Sequence, residues 1–599
     1  MNYFTNVTKK IISIFLIITF SFQNLAVAMD SEFDDTQDKK THKATILPIN
    51  HSLEDLRLLN NETIESPEGR KFNDHKISIN EVTESELLLT NRNAYKTVLK
   101  SSIPLIISMA PVISKSIVNN IILAQLEDPD AIAAGPLIST YMNSVTGSIG
   151  AILSCCGILG GKRAAMEDHE GLRDVVRNGY FAGLILTIPS LAIYLNAGRI
   201  LKSTGVENSI ADNVQDYFFY YSIGSVLPTY WTLVDQQLAL SLNKNNLPIV
   251  ISISRTAISL LASYPLALGA WGCPKLGVAG LGYGTSIGTL SAFLAIRTYI
   301  SYSEAYTKYP LLSNFSFSTY TNNMRKFITK GGPLGLLRFM EWGNLAANSM
   351  ILGTLNRNTQ IAEQISIQPI IAYNFILIAL TQASGIIISQ KLGQAEKLKA
   401  QDRQEEYKIA LNNAKRLGSA AIAISFFSSL ATAGLFIGLS HPLQRLFEGT
   451  PQDIESKDDW DTIQSLADTM LLVNSISLLA DGPRNVGGGA FSGYEEVIFA
   501  PSVSFAFMSV LALPISAGLV LGAEFNPVWA YGMRAGGIFL SALTICYKWY
   551  QKKSVPEKKA HATIENVGLI SNSPSRRTYE RAWYNPIRWG VAILSMFRK

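Results

Sequence analysis

Apolar runs of about 17–25 residues, the length that crosses a bilayer, recur along this 599-residue chain from Ser101 onward. Hydrocarbon offers no water to a free N–H or C=O, so each run must satisfy its own backbone. A helix does this within one segment. The reading is therefore all-α: a polytopic membrane protein with twelve transmembrane helices. Their centres fall near Ile113, Val145, Leu186, Ser225, Leu260, Thr289, Ala347, Ile376, Ser425, Leu472, Val510 and Phe539. Only 16% of residues are charged, against about 25% in an ordinary globular chain. The net charge of +5 is spread along the chain, without the basic cluster that marks a nucleic-acid partner.

The two ends read differently. Lys9 and Lys10 precede the apolar stretch Ile11 to Phe22, and Ala26-Val27-Ala28 follows. Residues 1–28 thus form a signal-like segment. Residues 29–98 are polar and of mixed charge, a composition expected to be mostly disordered. The basic tail, 551–599, interleaves Trp583, Trp589 and Phe597 with Arg581, Arg588 and Arg598. Its apolar part is too short to span, and an interfacial helix is expected.

Loop charge sets orientation. Lys162, Arg163, Arg173 and Arg177 follow the second run, Lys308, Arg325, Lys326 and Lys330 the sixth, and seven cations between Lys391 and Arg416 the eighth. Connections between these are poor in Lys and Arg. The pattern puts both ends of the bundle in the cytoplasm. A cleaved signal would place residue 29 outside and turn the first helix the other way, so the two signals conflict; for the bundle the loops carry more weight, because several agree.

The chain also repeats itself. "KSSIPLIISMAPVISKSIVNNIILAQL" begins at Lys100 and "KGGPLGLLRFMEWGNLAANSMILGTL" at Lys330. An offset of 229 pairs Pro104 with Pro333, Leu126 with Leu355 and Lys162 with Lys391. "SYPLALG" at Ser263 is echoed by "ALPISAG" at Ala512. Two parallel six-helix repeats are expected: an N-terminal lobe at 99–304, a cytoplasmic linker at 305–329 and a C-terminal lobe at 330–550. Parallel repeats are a transporter signature, with the site between the halves.

On this frame the sequence resembles the multidrug and toxic compound extrusion (MATE) transporters over about 99–550. Asp481 to Phe491 followed by Gly493 is similar to the family's tenth-helix pattern, an acid before a small-residue run. "GGPLGLLRFMEW" resembles its seventh-helix motif, and "QIAEQISIQ" and "SQKLG" the entry and exit of its eighth helix. The resemblance implies a secondary antiporter of the inner membrane. It would export amphipathic, often cationic, small molecules in exchange for H+ or Na+, with lipid around it and no further cofactor. A monomer is expected. Two departures stand out. Asn119 occupies the place of a first-helix acid, with Lys115 one turn before it. Arg484 stands where the family has a neutral polar residue.

Charged groups at membrane depth cost at least about 2.5–3.5 kcal/mol each, so they face the interior and have partners. Glu341, about eight residues into its expected helix, and Asp481 are the expected cation-coupling pair. Two carboxylates in one desolvated cavity cannot easily both stay charged, so a proton or a Na+ would bind between them. Arg338 and Arg484, each three residues from an acid, are expected charge partners inside the lobe. The glycines at 487–489 are expected to let the backbone unwind or bend. Lys115, Asn119, Gln364 and Asp235 are candidates for the substrate cleft, and Arg255 reads as structural.

Several classes are disfavoured. Cys155, Cys156, Cys273 and Cys546 have no metal or disulfide spacing. No histidine lies within a run, His441 standing at most at a helix end, which argues against a membrane-embedded acyltransferase or metalloprotease. The chain reads as no enzyme. No phosphate loop is present, which argues against ATP drive. Two other readings stay open: a flippase for a lipid-linked sugar, and a membrane scaffold that has lost transport.

Overall fold

The computed structural model describes residues 89–552, apart from 127, 204–205, 304–305, 307–316, 354, 356, 446–456 and 524. The signal-like segment, nearly all of the polar extension and the tail with its expected interfacial helix lie outside the described residues. Each of the twelve apolar centres falls inside a long helix. These are α1 (Asn91–Ala124), α2 (Pro129–Ala165), α3 (His169–Tyr194), α4 (Asn208–Ser241), α5 (Asn246–Leu268) and α6 (Val278–Tyr302), then α7 (Phe317–Gly353), α8 (Arg357–Ala400), α9 (Gln404–Gly438), α10 (Lys457–Gly493), α11 (Phe499–Gly522) and α12 (Val528–Gln551). No strand occurs among the described residues. Nine of the described helices are long and apolar enough to cross a membrane. Outside that set stand α4, with its tyrosines 217, 220, 221 and 230, α7, with Arg338 and Glu341, and α12, with Arg534 and Lys548.

Local chemistry sets the helix ends. Asp128 accepts the N–H of Asp130 at 3.0 Å, ahead of Pro129, whose missing N–H costs nothing in a first turn. Asp168 accepts the N–H of Gly171 at 2.8 Å and opens α3. α5 stops on Gly269 at φ +74°, a left-handed cap.

Two expectations need correcting. α7 starts at Phe317, within the segment expected to be a linker, so Glu341 lies deep inside a helix rather than near its start. Nor do the glycines of α10 unwind it: α10 stays helical through Gly493. A side chain at Gly489 would begin 2.4 Å from the carbonyl oxygen of Thr381 on α8. The glycine is there so that two backbones can touch. Irregular winding lies in α11 instead, where Phe505–Ala512 and Gly518–Gly522 adopt wider π-helical turns.

Buried apolar side chains gather in two large clusters. One joins Leu153, Leu172, Phe218, Leu281 and Ile296 of α2–α6. The other joins Leu380, Leu417, Met470, Phe491 and Ile545 of α8–α12. α1 belongs to both. Ala94 and Val98 near its start pack in the second cluster, Ile122 and Leu123 near its end in the first.

At the Lys/Arg-rich ends the two sets of helices are tied by polar contacts. Lys162 of α2 pairs with Glu396 of α8 at 2.7 Å and with Glu495, just after α10, at 2.8 Å. Lys330 of α7 reaches Glu495 at 3.0 Å, and Lys397 reaches Glu167 at 2.7 Å. Gln390 donates to the Ser241 carbonyl at 3.1 Å. Burial alone would raise the Glu495 carboxyl, but hydrogen bonds and charge from Lys162 and Lys330 outweigh it and hold it below the usual carboxylate range.

This packing can be tested in two ways. Gly489→Val forces a side chain against backbone and should cost about 1–3 kcal/mol, read as a lower melting temperature in detergent. Gly343, where an added methyl group would meet nothing within 4 Å, is the control: Gly343→Ala should be neutral or gain up to about 1 kcal/mol. The second test concerns Glu495. A lowered carboxylate strengthens its contacts above the unfolded pKa and loses that strength as pH falls through the lowered value. Spin labels replacing the exposed Glu170 and Lys399 should give one narrow distance at neutral pH. It should broaden in Glu495→Gln, and in the parent only below the usual carboxylate range. An unchanged distance in Glu495→Gln would show that these pairs do not hold the ends together.

Candidate functional site

Glu341 and Asp481 do come together, but not as two carboxylates facing one empty cavity. Arg484 lies between them. Its Nη2 donates to Asp481 Oδ1 and to Glu341 Oε1, both at 2.7 Å, and its Nε to Asp481 Oδ1 at 2.9 Å. Nη1 reaches Ser504 Oγ on α11 at 3.2 Å. Arg338 donates to the other oxygen of Glu341 at 2.5 Å, and Asn485 Nδ2 to Asp481 Oδ1 at 3.1 Å. Asp481 and Arg484 are 5% and 4% exposed, so desolvation is nearly complete. Two acids and two guanidiniums sum to zero charge. Breaking such a buried pair from one side costs about 3–5 kcal/mol, because the group left behind is uncompensated. The sequence reading foresaw each local pair. It did not foresee that Arg484 ties α10 to α7.

A third acid was missed. Glu363 of α8 is fully buried, and its Oε1 accepts from Ser349 Oγ at 2.5 Å and from Tyr531 Oη at 3.2 Å. Its Oε2 has no hydrogen-bond partner among the described residues. Arg534 is near enough to act on it by charge, but donates instead to Asn474 Oδ1 at 3.3 Å. The signal was available, since Glu363 sits in "QIAEQISIQ" one residue before Gln364. Gln364 stands in α8, and its side chain lies outside the described residues.

In the first half, Asp235 is sealed rather than open to a cleft. It is fully buried, pairs with Arg297 of α6 at 3.3 Å and accepts a hydrogen bond from Tyr180. Arg297 in turn lies 4.2 Å from the centroid of the Tyr180 ring. Lys115 of α1 is half-buried and donates to Thr285 Oγ1 of α6 at 2.9 Å. Asn119, one turn on, has a buried Oδ1 without a hydrogen bond among the described residues.

No family model matches the chain. It is 23% identical to the "Probable multidrug resistance protein NorM" of Pseudomonas aeruginosa over 475 residues, 78% of this chain and 91% of that one. Among solved structures, a eukaryotic MATE transporter, AtDTX14, superposes with a TM-score of 0.67 at 14% identity, covering 80% of this chain and 99% of that one. A multidrug resistance MATE transporter in an outward-facing conformation gives 0.62 at 16%, covering 78% and 97%. The likeness extends over nearly the whole length of each relative and not over one shared segment. This integral membrane protein has the fold of the MATE transporters.

Proposed function

We propose that the chain is a secondary antiporter of the bacterial inner membrane that exports amphipathic small molecules in exchange for H+ or Na+. The observation that carries this reading is the cluster Glu341–Arg484–Asp481, a set of charges held at membrane depth across α7 and α10. A static core gains little from burying four charges, since an apolar replacement of similar volume is often as stable. A site that exchanges one cation for another does need them.

In this reading Arg484 is the resident cation. An incoming proton or Na+ competes with it for Asp481 and Glu341, and displacement of the guanidinium shifts α10 against α7. Only such differential occupancy of two states can drive substrate against its gradient. Glu363, buried with no ion pair among the described residues, is a third acid able to take part. The twelve helices act as two lobes, 99–304 and 330–550, which rock about the site between them. The two apolar clusters support that division. The ion pairs around Lys162 and Glu495 support a state closed at the cytoplasmic end. A relative named as a multidrug resistance protein supports export as the direction. A lipid-linked sugar flippase is the second reading, favoured by the cation Lys115.

The test is efflux from vesicles under an imposed pH or Na+ gradient. Glu341→Gln and Asp481→Asn should lose ion dependence and slow by about tenfold or more. Glu363→Gln, measured beside them, shows whether the third acid titrates in the cycle. Parent rates in both of the first two variants, with folding verified, would rule the coupling site out. Arg484→Ala leaves two carboxylates without a shared partner. It should lower stability by about 3–5 kcal/mol, seen as a reduced folded yield, whereas Arg338→Ala should cost less because Glu341 keeps Arg484.

A further inference from the structure

The first half holds two cations that ion coupling does not use. Lys115 projects from α1 and Arg255 from α5, close enough to act on one another by charge. Each reaches only a hydroxyl: Lys115 Nζ meets Thr285 Oγ1 at 2.9 Å, and Arg255 Nη2 meets Thr229 Oγ1 at 3.4 Å. Among the described residues no carboxylate pairs with either. Three other interior guanidiniums differ, whereas Arg534 of the second half rests on Asn474 at 3.3 Å with Glu363 near it. Arg297 has Asp235, Arg338 has Glu341, and Arg484 has both Asp481 and Glu341. Two neighbouring like charges at membrane depth are costly without a counter-charge, so their partner should come from outside the chain.

The groups around them point the same way. Tyr217 and Tyr221 of α4 stack with centroids 5.9 Å apart and lie near Arg255. Tyr217 Oη is 3.5 Å from the Thr285 hydroxyl that Lys115 holds. Tyr221 is fully buried, yet its Oη has no hydrogen-bond partner among the described residues. An ammonium, a guanidinium and a free phenol O–H are all donors. A guanidinium binds carboxylate and phosphate oxygens through its planar fork.

We propose that Lys115 and Arg255 form an anion-binding site in the first half, which takes the carboxylate or phosphate group of an amphipathic ligand. The proposal rests on the reading of this chain as an exporter of amphipathic molecules and narrows it. A cationic compound, the kind expected from the sequence, would be repelled here. The oxyanion could belong to a soluble amphiphile or to a lipid headgroup, and the test separates them.

The full chain is placed in phosphatidylcholine nanodiscs and binding of radiolabelled decyl phosphate is measured beside decyltrimethylammonium. Decyl phosphate should bind saturably, and about tenfold or more weakly in Lys115→Gln or Arg255→Gln. Arg255→Lys should retain part of the affinity, and decyltrimethylammonium should be indifferent to all three. Removing an unpaired cation should not harm the fold, which melting temperature verifies. Equal binding of decyl phosphate by parent and both glutamine variants, or no saturable binding by the parent, would overturn the proposal. Nanodiscs doped with phosphatidylglycerol supply the second arm: competition with decyl phosphate assigns the site to a lipid headgroup, lack of it to a soluble anion. Anion binding without efflux would remove the export reading and leave the site. Efflux without anion binding would do the reverse.

Discussion

Everything in this molecule answers to the absence of water in the bilayer interior. Backbone groups respond by closing on themselves, and the chain becomes helices. Charged side chains respond by finding each other. The second response is uneven. In the second half Arg338 and Arg484 balance Glu341 and Asp481 within a few ångströms. In the first half Arg297 and Asp235 balance, while Lys115 and Arg255 rest on hydroxyl groups. Among the described residues these two cations have no carboxylate partner, whereas the four charges around Arg484 balance.

The helices were legible because apolar length is a property of each segment alone. Ion pairs were legible only where both partners lie on one helix. Arg338 and Glu341 sit three residues apart, as do Asp481 and Arg484, so each pair could be read from spacing. The bond from Arg484 to Glu341 crosses 143 residues of sequence, and no spacing rule reaches that far. The same holds for Asp235, whose partner Arg297 comes from another helix. Lys115 could be read as unusual, but a missing partner shows only when every neighbouring helix is in place.

Glycine in α10 was read through its freedom and found in use for its size. Both meanings belong to the same missing side chain. Only a neighbour decides between them, and here the neighbour is the Thr381 carbonyl. The irregular winding lies one helix later, in the π-helical turns of α11, which carries the Ser504 that Arg484 touches. A wider turn is a local change of winding that can tighten without breaking the helix. It lies where movement of Arg484 would first be felt.

The uncompensated cations of the first half also bear on energy supply. Exchange of one cation outward for one proton inward moves no net charge, so the membrane potential contributes nothing. If the cargo held by Lys115 and Arg255 leaves as a monovalent anion while one proton enters, two charges move in the direction that an inside-negative potential favours. Each is worth about 2.3 kcal/mol per 100 mV. A transporter built this way would draw on voltage as well as on the ion gradient, and would keep working when the gradient is small.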